Sequence, residues 1–444
     1  MNRMMPAISP RRREQVLDAL RRGTVPQEGL GSLAVGLERF QSTVAEDLDR
    51  VAAGGGAFKA IRGEYGCGKT FFSRWLQEQA RAQKFATAEV QISESETPLH
   101  RLETVYRRLT ERIATAAGSS GAFRSIIDTW FYALEEDVLS SGKVDANDQA
   151  ALVAATNELM EQRLDAISRT ARGFAAALRG YRTAQANGDN ATAEGLIAWV
   201  AGQPNVSATI KRAADLKGDV DHFAALSFLQ GLLVVLRDSG HPGLLVVLDE
   251  VETLQRVRAD VREKSLNALR QLIDEIDAGR FPGLFLVITG TPAFFDGPQG
   301  VQKLPPLAQR LQTDFDTDPR FDNPRAPQIR LRAFDRPALV EVGIKVRDIF
   351  VNGSKDVEGV ARRANDALLE SLADAVTGQL GGKIGIAPRI YLKKLVADLL
   401  DRIELHPDFD PARDYRLTMR SEELTLEERN LTAAGSVEDI SLDV

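Results

Sequence analysis

Hydrophobic spacing divides the chain into two kinds of segment. Ala57–Arg62, Leu244–Asp249 and Leu284–Ile288 are short apolar runs bounded by glycine, the pattern of buried strands, and Ala86–Ile92 alternates as a fourth strand does. Around them apolar residues recur at three- and four-residue spacing. This predicts helices over 11–22, from Val35-Gly36-Leu37-Glu38 through Val51, over Phe71–Gln83, and over about Asp260–Ala278. The string Gly-Leu-Leu-Val-Val-Leu occurs at both 231–236 and 243–248. The first copy continues the helical face of Leu226 and Leu229, whereas the second is isolated by Ser239-Gly240-His241-Pro242-Gly243 and ends in two acids. We therefore read helix first and strand second.

Between Leu99 and Asp238 the pattern is helical almost throughout, with breaks near Gly118–Gly121, Gly142, Gly188 and Gly218. Gln328–Leu331 reads as a last strand. Beyond it Asp335 is placed as an N-cap; Leu368, Leu372, Ala375 and Val376 share a face; and Pro388 opens a final helix carrying Leu392, Leu395, Val396 and Leu399. Strands alternating with helices, then a helical block, predict an α/β fold. Its parts are a basic segment 1–33, a parallel-sheet core 34–334 with a helical insertion at 118–220, a helical lid 335–408 and an acidic tail 409–444.

Composition narrows the picture. At 444 residues, two or three domains are expected. A net charge of −7 argues against wholesale coating of nucleic acid. The ends differ in charge: Arg3, Arg11, Arg12, Arg13, Arg21 and Arg22 crowd the first, and residues 421–444 are acidic. One cysteine excludes a disulfide framework and a thiolate metal site, and the four histidines lack ligand spacing. No signal peptide or membrane span is expected, which makes the cytoplasm the default location.

The chemistry is concentrated in two places. Gly63-Glu64-Tyr65-Gly66-Cys67-Gly68-Lys69-Thr70 fits G-x-x-x-x-G-K-T between a strand and a helix. Gly63, Gly66 and Gly68 let backbone N–H groups approach phosphates, Lys69 reaches the β- and γ-phosphates, and Thr70 is placed as a Mg²⁺ ligand. The second is the strand ending in Asp249-Glu250. Asp249 is positioned to hold Mg²⁺ through water and Glu250 to polarise the attacking water; Glu252 reads as supporting or solvated. ATP and Mg²⁺ are the implied cofactors, and an ATPase the implied enzyme.

The strand ending at Thr289/Thr291, read with Asp249-Glu250, resembles an AAA+ ATPase of the additional-strand type. The resemblance implies a γ-phosphate sensor there, Thr291 first and Thr289 second. Val35-Gly36-Leu37-Glu38 looks like the adenine-side segment of origin-recognition-like members. Leu307-Ala308-Gln309-Arg310-Leu311 looks like the region of the arginine finger, making Arg310 a residue acting in trans, with Arg325 competing. Gly385-Ile386-Ala387-Pro388-Arg389 resembles a sensor-2 segment that turns Arg389 to the nucleotide.

The order of Ala19–Pro26, Arg62–Thr70, Leu248–Glu252 and Ala387–Arg389 resembles the BREX-type phage-defence ATP-binding proteins of the BrxD group. That resemblance implies an operon-encoded partner such as a helicase-like protein; a homo-oligomer is expected from the trans-acting Arg310, and contact with DNA, direct or indirect, is expected as well. Remodelling or gating of a defence complex follows as the leading expectation. A nucleotide-dependent switch that hydrolyses little, and a DNA-binding regulator using the N-terminal arginines, are the alternatives. Three departures stand out. Cys67 replaces the common serine, which opens a route to inhibition by oxidation; the stretch from Lys69 to Asp249 is unusually long; and no winged-helix domain is expected after Arg389.

Overall fold

A computed structural model describes residues 8–417 apart from 119, 143, 146 and 380–386. Arg3, Gly385-Ile386 and the acidic run at 421–444 lie outside the described residues.

Five strands form one parallel sheet: β1 (Ala57–Arg62), β2 (Ala86–Gln91), β3 (Leu244–Asp249), β4 (Leu284–Gly290) and β5 (Gln328–Arg330). Their order is β2-β3-β4-β1-β5, so β4 separates the acid-bearing strand from the strand that enters the glycine-rich loop. Every residue of β3 and β4 is buried, as sheets covered on both faces require. Register pairs Gln91 with Asp249 across β2 and β3, and Leu248 with Ile288 across β3 and β4.

The helices follow in chain order: α1 (Pro10–Arg21), α2 (Glu38–Ala52), α3 (Lys69–Ala82), α4 (Leu102–Arg112), α5 (Phe123–Ser140), α6 (Gln149–Ser168), α7 (Arg172–Ala186), α8 (Asn190–Val200), α9 (Ala208–Ala213), α10 (His222–Asp238), α11 (Ala259–Asp277), α12 (Pro292–Asp296), α13 (Pro305–Leu311), α14 (Arg336–Val351), α15 (Val357–Arg363), α16 (Asp366–Gln379), α17 (Ala387–Lys393) and α18 (Asp401–Leu405). The two copies of Gly-Leu-Leu-Val-Val-Leu fall in α10 and β3, as their flanks dictate.

The described residues divide into two compact units. One contains those up to Gln41, Arg62–Glu78 and those from Arg330; the other contains Ser42–Ile61 and Gln79–Ile329. In the second unit the helices of the long insertion share a single core with the sheet. Trp130, Phe174, Tyr181, Leu232 and Val246 belong to one continuous buried cluster. The insertion is thus packed by the same apolar burial that holds the strands.

In the first unit α1 is built into the helical block. Val16, Leu17 and Leu20 are buried with Leu339, Val346 and Leu395. Two of its arginines are committed structurally. Arg21 makes a two-point contact with Asp401, 2.8 Å on each oxygen, and Arg13 Nε donates to Ile349 O at 2.9 Å. Carboxylate pairing holds the Arg21 guanidinium firmly charged. Asp335 caps α14 by accepting from Ala338 N at 2.9 Å.

Two expectations about this block change. Ala375 is exposed, and Leu369 and Ala373 are buried beside Leu372 and Val376 instead. The helix opened by Pro388 passes through a π-helical stretch, Lys394–Leu400, before continuing as α18. The wider turn shifts the inward face and brings Leu400 and Ile403 inside with Leu395, Val396 and Leu399.

Candidate nucleotide site

The glycine-rich loop leaves the carboxyl end of β1 and runs directly into α3. Gly66 has φ +78° and Gly68 φ +94°, conformations that side-chain-bearing residues seldom adopt. Gly63 is constrained differently: a Cβ there would lie 2.3 Å from Cys67 Sγ and 3.2 Å from Leu331 O. Lys69 is largely buried, and its Nζ donates to Gly63 O at 2.8 Å and Glu64 O at 3.3 Å. It also lies 5.0 Å from the centroid of the Tyr65 ring. A loop with two left-handed glycines ahead of a 14-residue helix fits a polyphosphate: it combines the N–H groups of a helix N-terminus, the dipole and a lysine on the loop itself.

Cys67 is 4% exposed, and burial pushes its thiol up from the ordinary range. Thiolate is the reactive form, so this setting disfavours the inhibition by oxidation that Cys67 suggested in the sequence. The same burial explains the residue: a small apolar side chain fills the space against Gly63.

Val35 and Gly36 lie in the first unit with the loop, just before α2, and α2 begins at Glu38 rather than at Val35. Val35, Phe71 and Phe334 are half-buried at the edge of the helical block's core. A Cβ on Gly68 would lie 3.8 Å from the Phe334 ring. Arg389 lies in the first unit too, against the turn after α1. A Cβ on Gly23 would sit 3.4 Å from Arg389 Nη1 and 3.4 Å from Lys393 Cδ.

In the second unit, Asp249 and Thr289 are buried at the carboxyl ends of β3 and β4. The Thr289 hydroxyl donates to Asp249 Oδ1 and accepts from Glu250 N at 3.1 Å. One side chain therefore fixes both the carboxylate and the peptide after it. Thr291 makes no such bond and instead precedes α12, so of the two threonines it is Thr289 whose hydroxyl meets the acid. Glu250 adopts φ 60°, ψ 43°, a left-handed conformation costing about 1–3 kcal/mol in a residue with a side chain. Two acceptances by Glu250 O, from Thr253 N at 3.1 Å and Thr253 Oγ1 at 2.9 Å, hold that turn. Gln91 Nε2 donates to Glu250 Oε2 at 3.0 Å. Glu252, read as supporting or solvated, is 5% exposed and not solvated.

Thr289→Val preserves shape while removing both hydrogen bonds. The expected result is a loss of about 1–3 kcal/mol in urea unfolding, because a buried carboxylate and a peptide N–H lose their partner. An unchanged midpoint would remove Thr289 from this role.

Neither candidate arginine is unengaged. Arg310 pairs with Asp274 and donates to Pro306 O at 2.7 Å. Arg325 is 71% exposed and forms a two-point pair with Glu46 at 2.9 and 2.7 Å. Gln91, Phe71 and Phe334 were not singled out in the sequence. A polar residue near the end of the β2 run was the only signal for Gln91, and its register with the acid comes from the structure.

Loop, strand order and buried acid define a P-loop NTPase fold with an ATP-type phosphate cradle. The chain belongs to the BREX system ATP-binding protein BrxC/D family, whose sequence model matches residues 8–419. That places it among the ATP-binding proteins of an antiviral defence system. No curated protein matches the chain. Among the described residues no helix is long and apolar enough to cross a membrane.

Proposed function

We propose that the protein is a Mg²⁺-dependent ATPase of the AAA+ kind that remodels or gates a cytoplasmic defence complex on DNA. The observation that carries this reading is a pair of features delivered by strand ends of one sheet: a complete phosphate loop after β1 and Asp249-Glu250 after β3. Lys69 and the loop N–H groups take the phosphates, and Thr70 supplies the loop's magnesium ligand. Asp249, oriented by Thr289, is the carboxylate toward the metal. Glu250 is the general base that accepts a proton from water as it attacks the γ-phosphate. Magnesium, when bound, neutralises charge on the phosphate oxygens. Val35 and Gly36 face the base, and Arg389 approaches the phosphates from the lid.

Arg310 or Arg325 then acts on a neighbouring copy within a homo-oligomer. The test is turnover of ATP by the full chain with Mg²⁺, with and without duplex DNA, beside sedimentation with an ATP analogue. Turnover together with analogue-dependent assembly is expected. A monomer under both conditions would rule out either arginine acting in trans.

One contact favours a second reading. Because Gln91 holds Glu250 Oε2, the base is engaged by a neighbour, as suits a nucleotide-dependent switch that hydrolyses little until an operon-encoded, helicase-like partner arrives. Tight ATP binding without turnover under every condition selects that reading.

A further inference from the structure

Residues 22–37 connect α1 to α2 with little regular structure beyond one 3₁₀ turn at Leu30–Ser32. The segment is nevertheless secured by charged side chains from two different helices. Arg74 Nη1 on α3 donates to Val25 O at 2.6 Å. One turn later, Glu78 accepts from Gly29 N at 2.6 Å on Oε1 and from Gly31 N at 3.0 Å on Oε2. At the far end Lys345 on α14 donates to Ala34 O while pairing with Glu341 at 2.9 Å. Leu30 and Leu33, at 0% and 3% exposure, seat the strap between these points.

Charged groups spent on backbone atoms form stronger hydrogen bonds than neutral ones and fix geometry. Here they act at Val25, Gly29, Gly31 and Ala34, the last directly ahead of Val35 and Gly36. Gly36 has φ +70°, with open space where a Cβ would be, so its peptide is set by the chain on either side of it and not by packing on the residue. α3 starts at Lys69 of the phosphate loop, and α14 opens the lid. The strap therefore ties the backbone at 35–36 to both.

We propose that Glu78, Arg74 and Lys345 are positioning residues for base recognition, holding the Val35-Gly36 backbone so that the site selects adenine nucleotides over guanine nucleotides. This rests on the reading that Val35 and Gly36 face the base. Adenine offers a donor at N6 and an acceptor at N1, whereas guanine offers the reverse at O6 and N1. Peptide groups discriminate between these edges only when they cannot rotate to suit either one. A loosened strap keeps the phosphate cradle and loses the discrimination.

The experiment is calorimetric titration of the full chain and its Glu78→Gln and Lys345→Met variants with ATP, GTP and inorganic tripolyphosphate, all with Mg²⁺. The wild type should bind ATP more tightly than either competitor. In both variants ATP should weaken about tenfold, as loss of one or two base hydrogen bonds implies, the ATP-to-GTP ratio should approach one, and tripolyphosphate should bind unchanged. Parallel weakening of ATP and tripolyphosphate would mean that the substitutions distort the phosphate loop, and would overturn the proposal, as would unchanged ATP binding. The substitutions lie on different helices, so a folding defect in one leaves the other as the test. A wild type that binds ATP no better than tripolyphosphate fails differently: the base reading itself falls, whatever the variants do.

Discussion

Lys69→Ala is expected to weaken ATP binding by about 10- to 100-fold, the equivalent of losing charge-assisted hydrogen bonds worth about 1.5–3 kcal/mol. Lys69 Nζ lies on Gly63 O at 2.8 Å and Glu64 O at 3.3 Å, so its ammonium is already held by the loop's own carbonyls. Binding exchanges carbonyl partners for anionic oxygens, which reward the positive charge far more. Alanine keeps the backbone N–H cradle and favours the helix that Lys69 begins. The variant should therefore unfold at nearly the wild-type urea midpoint, and the loss should appear in titration calorimetry as weaker affinity. Affinity within twofold of wild type, with folding intact, would dismiss Gly63–Thr70 as the phosphate site.

The phosphate loop and the acid-bearing strand were legible in sequence because each is local. Glycine spacing, a lysine and a strand–helix junction lie within Ala57–Ala82, and the apolar run Leu244–Leu248 delivers Asp249 without reference to anything distant. Residues whose role depends on what lies across the sheet were harder to rank. Thr289 and Thr291 are two residues apart, so strand alternation gives both the same face and cannot rank them; only the end of β4 at Gly290 does, and the hydroxyl of Thr289 is the one that meets Asp249. Gln91 becomes notable only once register sets it opposite Asp249. The π-helical stretch at Lys394–Leu400 breaks the 3.6-residue period from which the lid face was read. The arginines of α1 looked like a nucleic-acid footprint because composition reports charge and not partners. Asp401 and the carbonyls of Ile349 and Phe350 account for Arg21 and Arg13.

Glu250→Gln is expected to lower ATP turnover by about 10²- to 10⁴-fold, the usual worth of a general base, while ATP affinity stays within about threefold. The substitution isolates the chemistry because glutamine is nearly isosteric and the backbone at 250 is held from elsewhere. Thr289 Oγ1 accepts the Glu250 N–H at 3.1 Å, and Glu250 O accepts from Thr253 N at 3.1 Å. The left-handed turn should therefore survive, and an amide oxygen still satisfies the Gln91 donor at the Oε2 position. What is lost is the ability to take a proton. Equal rates in the two proteins would remove Glu250 from the mechanism. A drop in affinity as large as the drop in rate would assign it to binding. If hydrolysis ends an ATP-dependent assembly, the variant should also keep the assembled species longer in sedimentation after ATP is added. Gln91→Ala supplies the opposite perturbation: freeing Glu250 Oε2 should raise basal turnover if that contact restrains the base, and lower it if the contact aims the base at water.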